Sequence, residues 1–268
     1  MDVGVPVVEA GALRQTVAAQ RLEGWRPTDE QLADLGRLAR AELSFGEYLA
    51  SYRARYPPPA PAPRRWVLRR RIPYLIPGTT LLRNNFGVTE PSVLIELEFA
   101  ATAGRILGWQ QRIAAGQVGS ADLDARVIHQ QVFGDVYAWA GEYRITELRR
   151  GDVAFGWQAD IGARMDEITG HARALVTDRP ADAPALAYEL SRLYADYNQV
   201  HPFREGNGRT GTLLLHTVSA QCGYPLDLSG ITRADWYSAS ADSMPFRRDG
   251  RANHRPFLPL LVRAVGDP

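Results

Sequence analysis

The chain has no lysine. All 31 of its basic residues are arginine. That excludes enzyme classes built on an amine: P-loop nucleotide hydrolases, protein kinases of the usual type and Schiff-base enzymes each need a lysine. Cysteine is nearly absent as well. A single thiol, Cys222, excludes an intramolecular disulfide and a zinc site made from several cysteines, and its place in an apolar helical run reads as inert core. Neither sign of charge is in excess. With 30 acidic residues the formal net charge is +1, which gives no global electrostatic case for nucleic acid or a membrane surface. No apolar run reaches the ~18 residues that suggest a membrane span, and no N-terminal apolar segment follows a basic one. The expectation is a cytoplasmic protein with no membrane partner and no direct nucleic-acid partner.

What is present suffices for one sizeable core and a small extra module: 268 residues, 45% hydrophobic and 23% charged. Residues 1–12 carry no pattern and read as loose. Residues 13–24 read as a helix stopped by Gly24. Thr28-Asp-Glu-Gln31 is a capping box opening a second helix to about Leu43, and Ser44-Phe-Gly-Glu47 opens a third to about Tyr56. Three short helices bury little of their own surface, so they need the rest of the chain to pack against. Residues 57–63, Pro-Pro-Pro-Ala-Pro-Ala-Pro, are a stiff linker. Arg64, Arg65, Arg69, Arg70 and Arg71 follow and read as a solvated rim. Thr89 is positioned to cap a helix through Leu94, Leu97 and Ala101, and Ala121 to Val136 gives another amphipathic helix. The period then changes: an alternating run around Gly151-Asp152 predicts a hairpin. Later come helices over 186–200 and 213–222, a helix capped by Thr232, and a last one from about Pro256.

Most of the functional information lies in nine residues between two of these helices, His201-Pro-Phe-Arg-Glu-Gly-Asn-Gly-Arg209. The Gly-Asn-Gly falls at the start of the second helix, where backbone N–H groups are unpaired and the helix dipole is positive. Glycine there lets an anion approach closely, so Gly206, Asn207 and Gly208, flanked by Arg204 and Arg209, make a candidate phosphate cradle. Glu205, an acid in a basic loop, suits a hard cation such as Mg²⁺ shared with phosphates. His201 is the one group of the loop that exchanges a proton near neutral pH. The plain alternative is a polar connection with a satisfied histidine. A base, a metal-type acid, a glycine nest and an arginine so close together argue against it.

The stretch resembles the signature of the Fic family of nucleotidyl transferases, His-x-Phe-x-(Asp/Glu)-Gly-Asn-Gly-Arg-x-x-Arg. Every specified position from His201 to Arg209 fits; the last falls on Thr212. Residues 77–91 and Asp135-Val-Tyr-Ala-Trp-Ala-Gly-Glu-Tyr-Arg144 also resemble family segments. The resemblance implies an all-α, Fic-type helical domain over 64–268 with a β-hairpin flap. It implies transfer of AMP from ATP to a Ser, Thr or Tyr hydroxyl of a target protein, with His201 as base, Glu205 on Mg²⁺, and Gly206, Asn207, Gly208 and Arg209 on the phosphates. Phe203 becomes the loop's anchor. Leu148, Arg149, Arg150, Gly151, Asp152 and Val153 become the flap that docks the target as an added strand. Residues 1–56 resemble the antitoxin partners of bacterial Fic toxins, which set an inhibitory helix against the active site through (Ser/Thr)-x-x-x-Glu-(Gly/Asn). Here Glu23-Gly24 fit and Ala19 does not. The expectation is an autoinhibited enzyme of the toxin–antitoxin type. Thr212 stands where the resemblance places an arginine that grips the distal phosphates and pairs with the inhibitory glutamate. Two further readings therefore stay open: a different nucleotide donor, or a catalytically weak binding protein.

Overall fold

Local capping chemistry fixes the ends of many of the helices. In the computed structural model, which describes residues 7–57 and 72–267, both predicted capping boxes form. Thr28 caps α2 (Asp29–Ala39) and Ser44 caps α3 (Phe45–Arg55), each hydroxyl accepting from the third backbone N–H while Gln31 or Glu47 reaches back. Each such cap stabilises its helix by ~1 kcal/mol. The first helix, α1, spans Val7–Leu22, so residues 7–12 are helical rather than loose. Helix α2 stops at Ala39, short of Leu43, because Ala41 takes a left-handed φ of 55°. The proline-rich linker beyond Pro57 and the five arginines after it lie outside the described residues.

A 24-residue helix, α4 (Pro91–Ala114), packs against α1, α2 and α3 on one side and meets α5 and α8 on the other. Its cap is Glu90, not Thr89, since Pro91 takes the first helical position and keeps the preceding residue extended. Small residues let neighbours come close. A Cβ on Gly104 would lie 2.8 Å from the Phe45 ring, so α3 docks where α4 has no side chain. Helix α1 brings Ala12, Ala18 and Leu22 into the same core, and Trp25 stacks on Phe99. Burying Leu22 and Trp25 is worth about 1.5–3 kcal/mol each. Polar locks fix the register: Gln20 donates to Thr102 Oγ1 at 2.8 Å and Gln15 to Asp227 at 2.7 Å. The N-terminal helices thus share one core with the rest.

The predicted helix over 121–136 is broken. A short 3₁₀ turn (Ser120–Leu123) ends at Asp124, whose carboxylate caps α5 (Ala125–Phe133). The hairpin forms as β1 (Arg149–Arg150) and β2 (Val153–Ala154), antiparallel, pairing Arg149 with Ala154 and Arg150 with Val153. Gly151 turns it at φ 57°. Helices α6 (Ile161–Asp178), α7 (Ala183–Val200), α8 (Asn207–Cys222), α9 (Arg233–Asp242) and α10 (Leu258–Ala264) follow. Thr232 caps α9 as expected, and α7 lies against α6, α8 and α10.

One buried group makes stability pH-dependent. His216 on α8 is 4% exposed, and burial pushes its imidazole down to about 4. A folded-state value below the unfolded 6.5 means the unfolded chain takes up the proton first, so stability is full above pH 6.5 and falls as pH drops. At pH 5 the loss is about 2 kcal/mol for one such histidine. His216→Gln should therefore flatten the change in denaturation free energy between pH 7 and 5 by about that amount. Equal pH dependence in both proteins would show that His216 takes up its proton as readily in the fold as in the unfolded chain.

Candidate active site

The cavity forms where α7 ends and α8 begins. His201 takes φ 49° as the last cap of α7, donating its backbone N–H to Tyr197, and Pro202 prevents the helix from continuing. The helix then leaves carbonyls without intrahelical partners. One buried side chain satisfies several of them: Arg144 donates through Nε to His201 O at 2.9 Å and through Nη2 to Val200 O at 3.1 Å. It also donates to Thr146 O at 2.7 Å and Gly156 O at 2.6 Å, on either side of the hairpin. Arg144 therefore ties the catalytic-type histidine to the base of the flap.

The loop after His201 is held from inside. The Asn207 side chain accepts from Phe203 N at 2.9 Å and donates to Phe203 O at 2.8 Å, closing the turn. Phe203 is fully buried and stacks on His129 at 3.9 Å between centroids. Gly141 N–H donates to His129 Nδ1, so the proton is on Nε2, which donates to Glu205 O at 3.0 Å. Burial lowers His129 to about 3, so this imidazole stays neutral and structural. Gly206 has φ 80° and a Cβ there would stand 2.3 Å from the Phe133 ring; only glycine fits.

Beyond it the first amides of α8 face the cavity, whose volume is about 190 Å³, and Glu23, Arg150, His201, Glu205, Gly208 and Tyr237 are among its lining residues. His201 is stacked by Phe155 at 3.8 Å. Burial, then the nearby Arg150 charge, lowers its imidazole to about 3, and its Nδ1 has no hydrogen-bond partner. At neutral pH it is an unprotonated base. Glu205 also takes part: its carboxylate accepts from Gly206 N–H at 3.0 Å, and burial and the Glu98 charge raise its pKa. Glu23 follows the end of α1, which packs against α8 and α9. Its Oε1 lies 1.8 Å from where a Cβ on Gly208 would be, so the carboxylate rests directly on the first turn of α8. Burial raises its pKa against the pull of Arg209, Arg150 and Arg233.

Not every expected residue arrives. Arg209 is 3% exposed, donates to Glu98 at 2.5 Å and to Thr102 at 3.2 Å, and does not line the cavity. Thr212 is buried one turn further on, donating to Arg209 O at 3.0 Å, and does not line it either. Asn207 spends its side chain on the loop, leaving its backbone amide to the site. In the flap, Leu148, Arg149 and Arg150 line the cavity; Gly151, Asp152 and Val153 are exposed at the tip. Sequence reasoning assigned no role to Arg144, His129, Glu98, Phe155 or Arg233. No local pattern marks them, since each acts on a partner distant in the chain.

Comparison with known proteins places this geometry. Residues 122–219 match the Fic/DOC family. The chain is 32% identical over 163 residues to a probable protein adenylyltransferase, y4lH, of Sinorhizobium fredii, covering 59% of this chain and 81% of that one. It is 27% identical over 177 residues to the probable protein adenylyltransferase Fic of Escherichia coli, covering 63% and 83%. Against the protein adenylyltransferase VbhT of Bartonella schoenbuchensis, identity is 29% over 172 residues, 64% of this chain but 35% of that much longer protein. Among solved structures, BepC of Bartonella tribocorum, with bound AMPPNP, superposes with a TM-score of 0.61 at 19% identity over 73% of this chain and 97% of that one. A Fic family protein of Desulfovibrio desulfuricans superposes over 98% of this chain and 66% of its own, TM-score 0.56, 14% identity. With its signature loop, its hairpin and a helical core of the same fold, the chain belongs to the Fic/DOC family.

Proposed function

We propose that this protein transfers AMP from ATP to a hydroxyl side chain of a target protein, and that Glu23 on the N-terminal segment holds it in check. The observation that carries the reading is the meeting of an unprotonated, half-buried His201 with the first turn of α8 in one cavity beneath the hairpin. His201 takes the proton of the target's Ser, Thr or Tyr hydroxyl. The oxygen attacks the α-phosphorus, an O–P bond forms, and the bond to the β-phosphate breaks, releasing pyrophosphate. The amides of Asn207 and Gly208, on the first turn of α8 that lines the cavity, would face the charge that develops. The hairpin edge supplies backbone groups for an extended target segment. The adenylyltransferase names of the relatives and the AMPPNP in the BepC structure support ATP as the donor.

The fit to Mg²⁺ rests on Glu205. Its carboxylate lines the cavity and burial holds it in an unfavourable charged state, which a divalent cation relieves. Among the described residues no group of three or more acidic, histidine or cysteine side chains is arranged to hold a metal, so phosphate oxygens would complete the coordination. Such an ion would neutralise phosphate charge. Glu205→Gln is expected to weaken Mg²⁺-dependent ATP binding tenfold or more, and unchanged binding with or without chelator would remove the assignment.

The reading as a whole is tested with ATP labelled at either phosphate. Protein retaining the α-label and not the γ-label has received AMP. Retention of the γ-label would make the protein a phosphotransferase, and transfer from another nucleoside triphosphate in preference to ATP would change the donor. Among the described residues no helix is long and apolar enough to cross a membrane.

A further inference from the structure

A triphosphate carries more negative charge than one helix N-terminus balances, and the signature supplies less cation than its sequence suggests. Arg209 is the obvious candidate, yet its guanidinium is bound to Glu98, lies 3.8 Å from Glu205 and sits over the Phe133 ring at 4.7 Å. Thr212 offers no charge and its hydroxyl is satisfied within its own helix. On the Glu23 side, two arginines outside the signature stand close: Arg150 lines the cavity, and Arg233 lies outside its lining but against Tyr237, which does line it. Arg150, on the hairpin, places its guanidinium 5.2 Å from the centre of the Tyr237 ring and 5.9 Å from that of Phe155, the ring stacked on His201. Arg233, at the start of α9, places its own 4.3 Å from the same Tyr237 ring, with Nε 3.3 Å from where a Cβ on Gly24 would be. Neither makes a salt bridge among the described residues.

We infer that Arg150 and Arg233, sharing the Tyr237 ring, grip the terminal phosphates of the nucleotide. The inference rests on the nucleotide-binding reading above. Stacking on Tyr237 keeps each guanidinium plane oriented while leaving its N–H edge free, which suits bidentate contact with phosphate oxygens. Glu23 feels both charges, in addition to Arg209. Arg204, which also lines the cavity, lies on the His201 side of the loop and is not among the charges that act on Glu23. The chain thus places its distal-phosphate cations on the flap and on α9 rather than on α8.

The test uses full-length protein carrying Glu23→Gly, titrated calorimetrically with ATP, ADP and AMP in the presence of Mg²⁺. Arg150→Gln and Arg233→Gln are each expected to weaken ATP binding about tenfold, the usual scale for one lost charge-assisted contact, and the pair more than either alone. AMP, which lacks the distal phosphates, is expected to change less than about twofold. Arg150→Lys should recover part of the loss. Equal losses for ATP and AMP would assign the arginines to structure and overturn the grip, as would unchanged ATP binding in both variants. If the Glu23→Gly protein with both arginines intact binds no ATP, the nucleotide reading itself fails and the grip with it.

Discussion

Glu23→Gly raises ATP affinity and transfer rate, on the coupling scale of about 5–150-fold that separates the two states of a regulated site. The carboxylate stands on the first turn of α8, within 1.8 Å of the Cβ position of Gly208. A phosphate seeking the same amides meets both its bulk and its charge. Gln at position 23 keeps the bulk and removes the charge, so an intermediate gain would apportion the two. Deleting residues 1–56 is a poorer test. Leu22, Trp25, Leu35, Tyr48 and Tyr52 are buried in the shared core, and removing them exposes a large apolar face on α4. A truncated protein that loses activity would say nothing about Glu23. The single substitution leaves the packing in place, and ATP titration with transfer measured alongside reads the outcome. Affinity and rate unchanged by Glu23→Gly would make the N-terminal helices a structural addition without a regulatory role.

The partners of Glu23 show what the sequence carried and what it did not. The Glu23-Gly24 pair and its upstream place were legible, and the structure brings Glu23 to the cavity. The expectation that position 212 decides its charge partner is implied by the family resemblance alone. In three dimensions Thr212 is enclosed, while the charges that act on Glu23 are Arg209 on α8, Arg150 on the hairpin and Arg233 on α9. The same division runs through the fold. Caps at Thr28, Ser44 and Thr232 span three residues, so local chemistry announces them. The hairpin turn at Gly151 is equally local. Arg144 bonds His201 across 57 residues, His129 bonds Glu205 across 76, and Arg209 meets Glu98 across 111. No window of sequence contains such pairs. Arg209 is the instructive case: its residue type and position suggested phosphate, and only the approach of Glu98 on α4 reveals that the guanidinium is already committed.

His201→Ala abolishes transfer, by on the order of 10²–10⁴-fold for the loss of a positioned general base. ATP affinity should change little, because the base is needed in the chemical step and not for holding phosphate. Alanine also has a backbone consequence. His201 sits at φ 49°, a region that histidine and asparagine enter more readily than alanine, and the ring covers Phe155 at 3.8 Å. His201→Asn therefore serves as the companion variant, since it tolerates the left-handed turn but cannot act as a base. Both should lose transfer alike, with asparagine keeping the loop, the hairpin and ATP binding closer to the parent. The pH profile offers an independent check. Burial and the Arg150 charge lower His201 to about 3. The folded value lies below the free one, so the imidazole stays unprotonated as pH falls through 6.5. In the Glu23→Gly protein, kcat/KM should show no histidine-type decline between pH 8 and about 5. A decline with a midpoint near 6.5 would mean that the ring is open to solvent in the working enzyme. Near-normal transfer by His201→Asn would remove the histidine from the chemistry altogether, leaving the α8 amides to account for the rate.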